Sequence, residues 1–362
     1  MRKATMQYRI GNYEETKELL DEVAGYDLTP EQAYEIRRTV GYEAIVGMSR
    51  APKGVEQTDA QGVLLQRIGA RVSAFLAKAS EHVRNIQNQP ETIRTLVAEL
   101  DGDAQQVSGA VRDLLLAGEF AVPHLVEAIK GAATPRMVDR YHATLRALGE
   151  RAVMPLIAAL EVDSENVRLT AAAVLGELKD QRAAAALKAI YDDDATDAGL
   201  LLIVKRALGR LGYDNPEAMP PAGRLYLDLA EMFYYGRPVT QPTEFEEAAP
   251  VWRVVDNALE PRMVPVNVYG VEYAERFLVE RSNTEGVTDA WWRLLACALE
   301  KKKLLLGDGA PEKTAAIDRT LGVGGLPLVG QALMRPLEDN DADLSVLMID
   351  HLDDIVQGDP AG

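Results

Sequence analysis

The chain is 362 residues long, 47% hydrophobic and 26% charged, the composition of a folded protein with room for two or three domains or one long repeat array. A net charge of −17 argues against a nucleic-acid backbone or an anionic membrane as partner, since both are held by clustered Lys and Arg. A single cysteine, Cys297, rules out an intrachain disulfide and a cysteine-based zinc site.

The opening residues, MRKATMQYRIGNYEE, are basic at the start but lack an apolar h-region, so no signal peptide is read. No run of ~18 apolar residues follows, so no membrane insertion is expected. The default location is cytoplasmic, left open if the chain is an excerpt lacking its targeting segment. YRIGNYEETKELLDEVAGYDLTPEQAYEIRR reads as a helix pair, with Thr29 as a cap and Pro30 at the first helical position of the second member. It resembles a tetratricopeptide (TPR) unit, in which Tyr8, Gly11 and Tyr13 would suit close helix packing, although Thr16 stands where Ala is usual. APKGVEQTDAQG reads as a loop, and residues 61–88 as a long helix.

An internal repeat follows. GEFAVPHLVEAIKG from Gly118 and GERAVMPLIAALEV from Gly149 are near-copies 31 residues apart, and QRAAAALKAIYDDD is a third version. Pro123 and Pro155 stand near the starts of the first helices, where a missing N–H costs little. Asp103, Thr134, Asp163 and Asp194 recur in the same phase and are expected to cap the second helices. Val107, Val138, Val167 and Ala198, four residues on, begin the buried stripe. A helix pair of this size cannot bury its apolar face alone, whereas stacked neighbours share a continuous core.

DSENVRLTAAAVLGELKD (163–180) resembles the second helix of a bacterial HEAT repeat, with its Asp–x–x–x–Val–Arg opening and Leu-rich close. The likeness covers about 91–213. It weakens at Thr134, which replaces the usual Asp, and at Ala198–Gly199, which replace Val–Arg. The resemblance implies an all-α chain, a right-handed α-solenoid whose second helices line a concave face that holds protein partners.

Beyond the array, NPEAMPPAG is a break and RLYLDLAEMFYYG a helix ending at Gly236. β-Branched and aromatic residues on either side of DNALEP predict one short β-hairpin near 251–268. EYAERFLVERSNTEGVTDAWWRLLACALEKKK again resembles a TPR join, with RSNTEG as its loop. LPLVGQALMRPLEDNDADLSVLMIDHLDDIVQG reads as a degenerate helix pair with polar residues suited to closing the stack. The expected organisation is therefore an N-terminal helical segment (1–90), HEAT-like repeats (91–213), a TPR-like segment with the hairpin inserted (214–310) and a capping helix pair (311–362).

The search for chemistry finds no catalytic constellation, cofactor site or metal site. GDGAPEKT (307–314) places Lys313–Thr314 like a phosphate-binding loop, but Glu312 replaces its second Gly and no strand precedes it. Asp339, Asp341, Asp343 and Asp350 are spaced like a calcium loop, but Leu344 stands where that loop needs Gly. They read as a helix cap and solvated carboxylates, as does Asp192–Asp194. His82, His124, His142 and His351 lack metal-ligand spacing, although His124 and His142 fall on adjacent helices. Cys297 in WWRLLACALE reads as a packed helix face.

The reading is a non-catalytic scaffold that binds a protein or peptide on the concave face. Its candidate contacts are Arg136, Arg140, His142, Arg146 and Arg168 on the second helices. The alternatives are a HEAT-like enzyme, resembling an alkylpurine DNA glycosylase or a bilin lyase, and a spacer segment of a longer protein. A glycosylase would need a basic, aromatic-lined groove, for which Tyr234–Tyr235 and Trp291–Trp292 are the available stacking groups; helical spacing favours packing them in the core.

Overall fold

The computed structural model describes residues 1–49, 60–87, 89–242, 247–280, 289–307, 317, 321 and 326–357. Among them the chain is all-α apart from one two-stranded sheet. It divides into two compact units, Met1–Ala121 and Val122–Gly362.

The first unit contains α1 (Arg2–Arg9), α2 (Tyr13–Gly25), α3 (Pro30–Val40), α4 (Tyr42–Val46), α5 (Ala60–Gln87), α6 (Pro90–Glu99) and α7 (Ala104–Ala117). The long helix α5 organises it. Leu65, Ile68, Val72, Phe75 and Ala79 recur every three or four residues along one stripe of α5, all buried, and α2 and α3 both pack against it. That spacing is a single helical face. Thr29 caps α3 as expected: its hydroxyl accepts from the Gln32 amide at 3.2 Å, and Gln32 accepts in return from the Thr29 amide. Tyr8 and Tyr13 meet with ring centroids 5.2 Å apart. Gly11 serves a different purpose from the expected close packing. Its φ is +81° and a Cβ there would touch nothing within 4 Å, so the turn conformation requires it.

The second unit holds the repeated pairs. First helices are α8 (Ala121–Lys130), α10 (Val153–Ala159) and α12 (Ala184–Asp192); second helices are α9 (Pro135–Leu148), α11 (Glu165–Leu178) and α13 (Ala198–Arg210). The repeated phrase has a local cause. Gly149 ends α9 at φ +64° and leads into a short 3₁₀ turn, Gly149–Ala152, that swings the chain into α10. Gly118 does the same after α7 at φ +61°, while Lys179 holds the third such position at φ +56° without glycine. Beyond each turn the leucines stay in phase: Leu125, Leu156 and Leu187 are all buried. The second helices pack side by side, α9 on α11 and α11 on α13. At the α11–α13 crossing a Cβ on Gly176 would lie 2.6 Å from Ala207 Cα, so only glycine allows that approach.

The caps follow the expected residues in two of four helices. Asp103 forms a capping box with Gln106, and Thr134 accepts from the Met137 amide with Pro135 next in line. At α11 the N-cap position belongs to Ser164, with no side-chain cap, and Asp163 just before it is held from outside, its N–H donating to Asn257 Oδ1 at 2.7 Å. At α13 the cap is Asp197, whose Oδ1 accepts from the Gly199 amide at 2.7 Å. Asp194 lies in the longer turn before it.

After a 3₁₀ turn at Pro216–Ala218 and α14 (Ala222–Tyr234) comes the expected hairpin, β1 (Ala248–Val255) and β2 (Ala258–Pro265), paired antiparallel. Its two-residue turn, Asp256–Asn257, has φ of +49° and +61°, the conformation that matches strand twist. The turn docks on the repeats: Asn257 also accepts from Lys130 Nζ through its carbonyl at 2.5 Å. Trp252 is fully buried and its N–H donates to Tyr273 Oη at 3.1 Å. Helices α15 (Val266–Glu280) and α16 (Asp289–Leu306) follow, then helical residues 326–332, Met334–Glu338 and Ala342–Gln357. Phe233 on α14 packs among Tyr269, Tyr273 and Phe277 on α15. The last helix exposes Val346 and Ile349 alongside its carboxylates.

This arrangement selects the surface left to solvent. β1 and β2 pack on α10, and α14 packs on α12. All seven residues of α10 are buried, which accounts for its apolar sequence all round. The first-helix side is thus covered by the chain's own hairpin and α14.

Candidate partner-binding face

The uncovered side is that of α9, α11 and α13. Its centre is Glu177 on α11, which joins all three helices. His142 Nε2 lies 3.1 Å from Glu177 Oε2, Arg146 Nη1 is 3.7 Å from the same oxygen, and Arg210 Nη1 is 3.3 Å from Oε1. A carboxylate only accepts, so the His142 proton sits on Nε2. Burial pushes the Glu177 carboxyl up, but the His142 hydrogen bond and the two guanidinium groups outweigh it and hold the carboxyl below its ordinary value. Glu177 is therefore a paired anion that aligns cations.

Around it the charge of the chain is inverted. The three second helices carry Arg136, Arg140 and Arg146, then Arg168, then Lys205, Arg206 and Arg210, against only Asp139, Glu165 and Glu177. Seven basic side chains thus face three acidic ones in a chain of net charge −17. Arg136, Arg146, Lys205, Arg206 and Arg210 are exposed; Arg140 and Arg168 are half-buried. Arg168 Nε is buried without a hydrogen-bond partner among the described residues, an unmet donor of the kind that costs about 1–3 kcal/mol. Ala143 and Ala147 are exposed on α9 and Leu202 on α13, so small and apolar ground lies among the cations.

Of the five residues expected from sequence, His142 and Arg146 are brought together through Glu177. Arg136 stands apart at the start of α9, while Arg140 and Arg168 lie on the same pair of helices, α9 and α11. Glu177, Lys205, Arg206 and Arg210 were missed. One signal was available for the last three: α13 contains no acidic residue at all.

The remaining candidates resolve into structure. Asp341 caps the last helix, accepting from the Leu344 amide at 3.2 Å, and Asp339 accepts from the Tyr235 hydroxyl at 2.9 Å. No cluster of three metal-ligating side chains occurs among the described residues. Lys313–Thr314 and most of the loop resembling a phosphate site lie outside the described residues, as do RSNTEG and the His82 side chain. His351 Nδ1 pairs with buried Glu300, and His142 with Glu177, so neither joins His124. Cys297 is fully buried, its thiol donates to the Ala332 carbonyl at 3.3 Å, and burial pushes its pKa up to about 12. Tyr234 and Trp291 are core residues, while Tyr235 and Trp292 are each 40% exposed. None of these four belongs to α9, α11 or α13.

Residues 122–200 match a family model described as HEAT repeats. The match runs through α8, α9, α10, α11 and α12, and the helical pairs fit an all-α solenoid of HEAT type. No curated protein matches the chain. Among the described residues no helix is long and apolar enough to cross a membrane.

Proposed function

We propose that α9, α11 and α13 form the recognition surface of a non-catalytic scaffold, and that its partner is an acidic protein segment. HEAT repeats commonly act as protein-interaction scaffolds, and the charge inversion on the second helices carries the reading further. A concentration of Arg and Lys in an otherwise acidic molecule steers an acidic partner to one face and repels it from the rest. Arg supplies planar, bidentate contacts to carboxylates.

A basic face around one carboxylate also resembles what a base-excising enzyme presents. Two observations favour the scaffold. No aromatic side chain is exposed on α9, α11 or α13, so an extruded base would have nothing to stack on. Glu177 is tied to two guanidinium groups and an imidazole that together hold its carboxyl below its ordinary value, unlike a carboxyl poised to exchange protons.

The test is fluorescence anisotropy with a labelled Glu/Asp-rich peptide and, separately, a duplex DNA of equal charge. Saturable binding of the peptide that weakens with salt is expected. Reversing Arg140, Arg146, Arg168 and Arg206 to Glu together abolishes it. Preference for the duplex, or unchanged peptide binding by the reversed protein, would overturn the proposal.

A further inference from the structure

The last helix, Ala342–Gln357, departs from a simple cap. A helix that only closes a repeat stack turns polar residues outward, and the carboxylates of this segment suit that role. Its inner stripe is anchored: Leu344 and Met348 are fully buried, His351 pairs with Glu300, and the helix packs against α16. Its outer stripe, however, is largely apolar. Ala342, Val346, Ile349, Asp353 and Val356 are all exposed, with Val346, Ile349 and Val356 at 58%, 45% and 66%.

These five positions are separated by four, three, four and three residues. That is the spacing of a coiled-coil seam, with Ala342, Ile349 and Val356 at d and Val346 and Asp353 at a. The seam runs for about 21 Å, or two heptads. Asp343 and Asp350, both exposed, each follow a d residue and so occupy e, the position whose charge selects a partner. No Lys or Arg occurs between residues 336 and 357. The helix thus offers an apolar seam with one carboxylate inside it and two along its edge.

We propose that this stripe receives a basic amphipathic helix of another protein, laid along it in coiled-coil fashion. Apolar residues of that helix cover Val346, Ile349 and Val356, and its Lys or Arg side chains meet Asp353 in the seam and Asp343 and Asp350 at the edge. Charge separates this occupant from the others. A second copy is disfavoured in either orientation: parallel pairing sets Asp353 against Asp353, and antiparallel pairing brings the Asp343 and Asp350 edges together. An anionic membrane is repelled by the same carboxylates. The stripe shares no residue with the second-helix face, so neither proposal falls with the other.

The experiment is fluorescence anisotropy of the intact chain with three labelled peptides: a Leu/Lys 14-mer with leucine at a and d, a scrambled peptide of the same composition, and a Leu/Glu 14-mer of the same pattern. The first is expected to saturate at one site, at least about tenfold more tightly than the second, and the third not to bind this helix. Ile349→Ser, which removes apolar contact without changing charge, should weaken the first peptide at least about tenfold. Asp353→Lys should weaken it likewise and admit the Leu/Glu peptide. Met263→Ser, at an exposed apolar position on the hairpin, should change nothing. Val346→Ser repeats the test if circular dichroism shows Ile349→Ser to be altered. Equal binding of the patterned and scrambled peptides, or unchanged binding by both serine variants, would reduce the effect to net charge and overturn the proposal. So would sedimentation of the chain alone as a dimer that Ile349→Ser dissociates, which gives the stripe to a second copy.

Discussion

Replacing Gly176 with alanine tests the contact on which the second-helix layer depends. The added Cβ would sit 2.6 Å from Ala207 Cα and 2.7 Å from its Cβ, against ordinary carbon separations of about 3.5–4.0 Å. Both neighbours are backbone or backbone-adjacent, so no flexible side chain can yield, and α11 and α13 must part by roughly 1 Å. Overpacking of this kind costs about 1–3 kcal/mol. Alanine's better helix propensity returns up to about 1 kcal/mol, leaving a net loss centred on about 1 kcal/mol. All three tryptophans, Trp252, Trp291 and Trp292, fall in the second unit, so urea unfolding followed by tryptophan fluorescence reports that unit alone. Gly109 in α7 provides the contrast: a Cβ there meets nothing within 4 Å. Its alanine variant should gain about 0.5–1 kcal/mol, read by amide hydrogen exchange in α7. A Gly176→Ala midpoint equal to or above that of the parent would refute the close crossing. It would also undermine the alignment of Glu177 with Arg210.

Other consequences concern single contacts. Arg182 is 7% exposed, takes both oxygens of Asp180, donates to the Val239 carbonyl and reaches Glu150 at 3.2 Å; Asp180→Asn should cost about 3 kcal/mol in the same urea assay, since it leaves that buried guanidinium only the exposed Glu150 as counter-charge. Burial alone would raise the Asp180 carboxyl, but Arg182 holds it below its ordinary value. The unfolded chain therefore binds that proton more readily, and stability present above about pH 3.9 should fall as pH drops through and below that value; midpoints at pH 5 and pH 3, compared with those of the asparagine variant, check this. Asn257→Ala should destabilise the second unit by about 2 kcal/mol, losing the bonds to Asp163 and straining a backbone at positive φ, whereas Asn257→Gly should cost less. Cys297 should resist a thiol reagent in the folded protein and react in urea, its rate rising with unfolding rather than with small increases in pH.

Much of this architecture was legible in the residues, for identifiable reasons. β-Branched and aromatic residues on either side of DNALEP announced the hairpin, although its turn proved to be Asp256–Asn257 alone. The repeated Gly-Glu phrase marked where a second helix must end and reverse. Thr29 and Asp103 capped as read because their helices start next to open turns, where the side chain is the only acceptor at hand. Asp163 did not: it lies one residue before the N-cap, and its own N–H donates to a residue 94 positions away, a partner that no local pattern reports. The same limit hid Glu177. Nothing in the local sequence of α11 marks it, because its partners come from the two neighbouring helices, α9 and α13. The apolar run VMPLIAAL was the one clue that something covers α10, since a helix apolar on every side must be buried on every side. What covers it, the hairpin, was read as a separate insertion. The candidate arginines were found by counting cations on second helices, which located the helices but could not rank the side chains.

Site-specific photo-crosslinking tests the central claim most directly. A benzophenone side chain would be placed at exposed Ala143 on α9, at exposed Lys205 on α13 and at exposed Met263 on the hairpin, and irradiated in native cell extract. Crosslinks from positions 143 and 205 to acidic protein segments, with none from 263, are the predicted result. Crosslinks confined to position 263, or nucleic acid captured at 143 and 205, would contradict it.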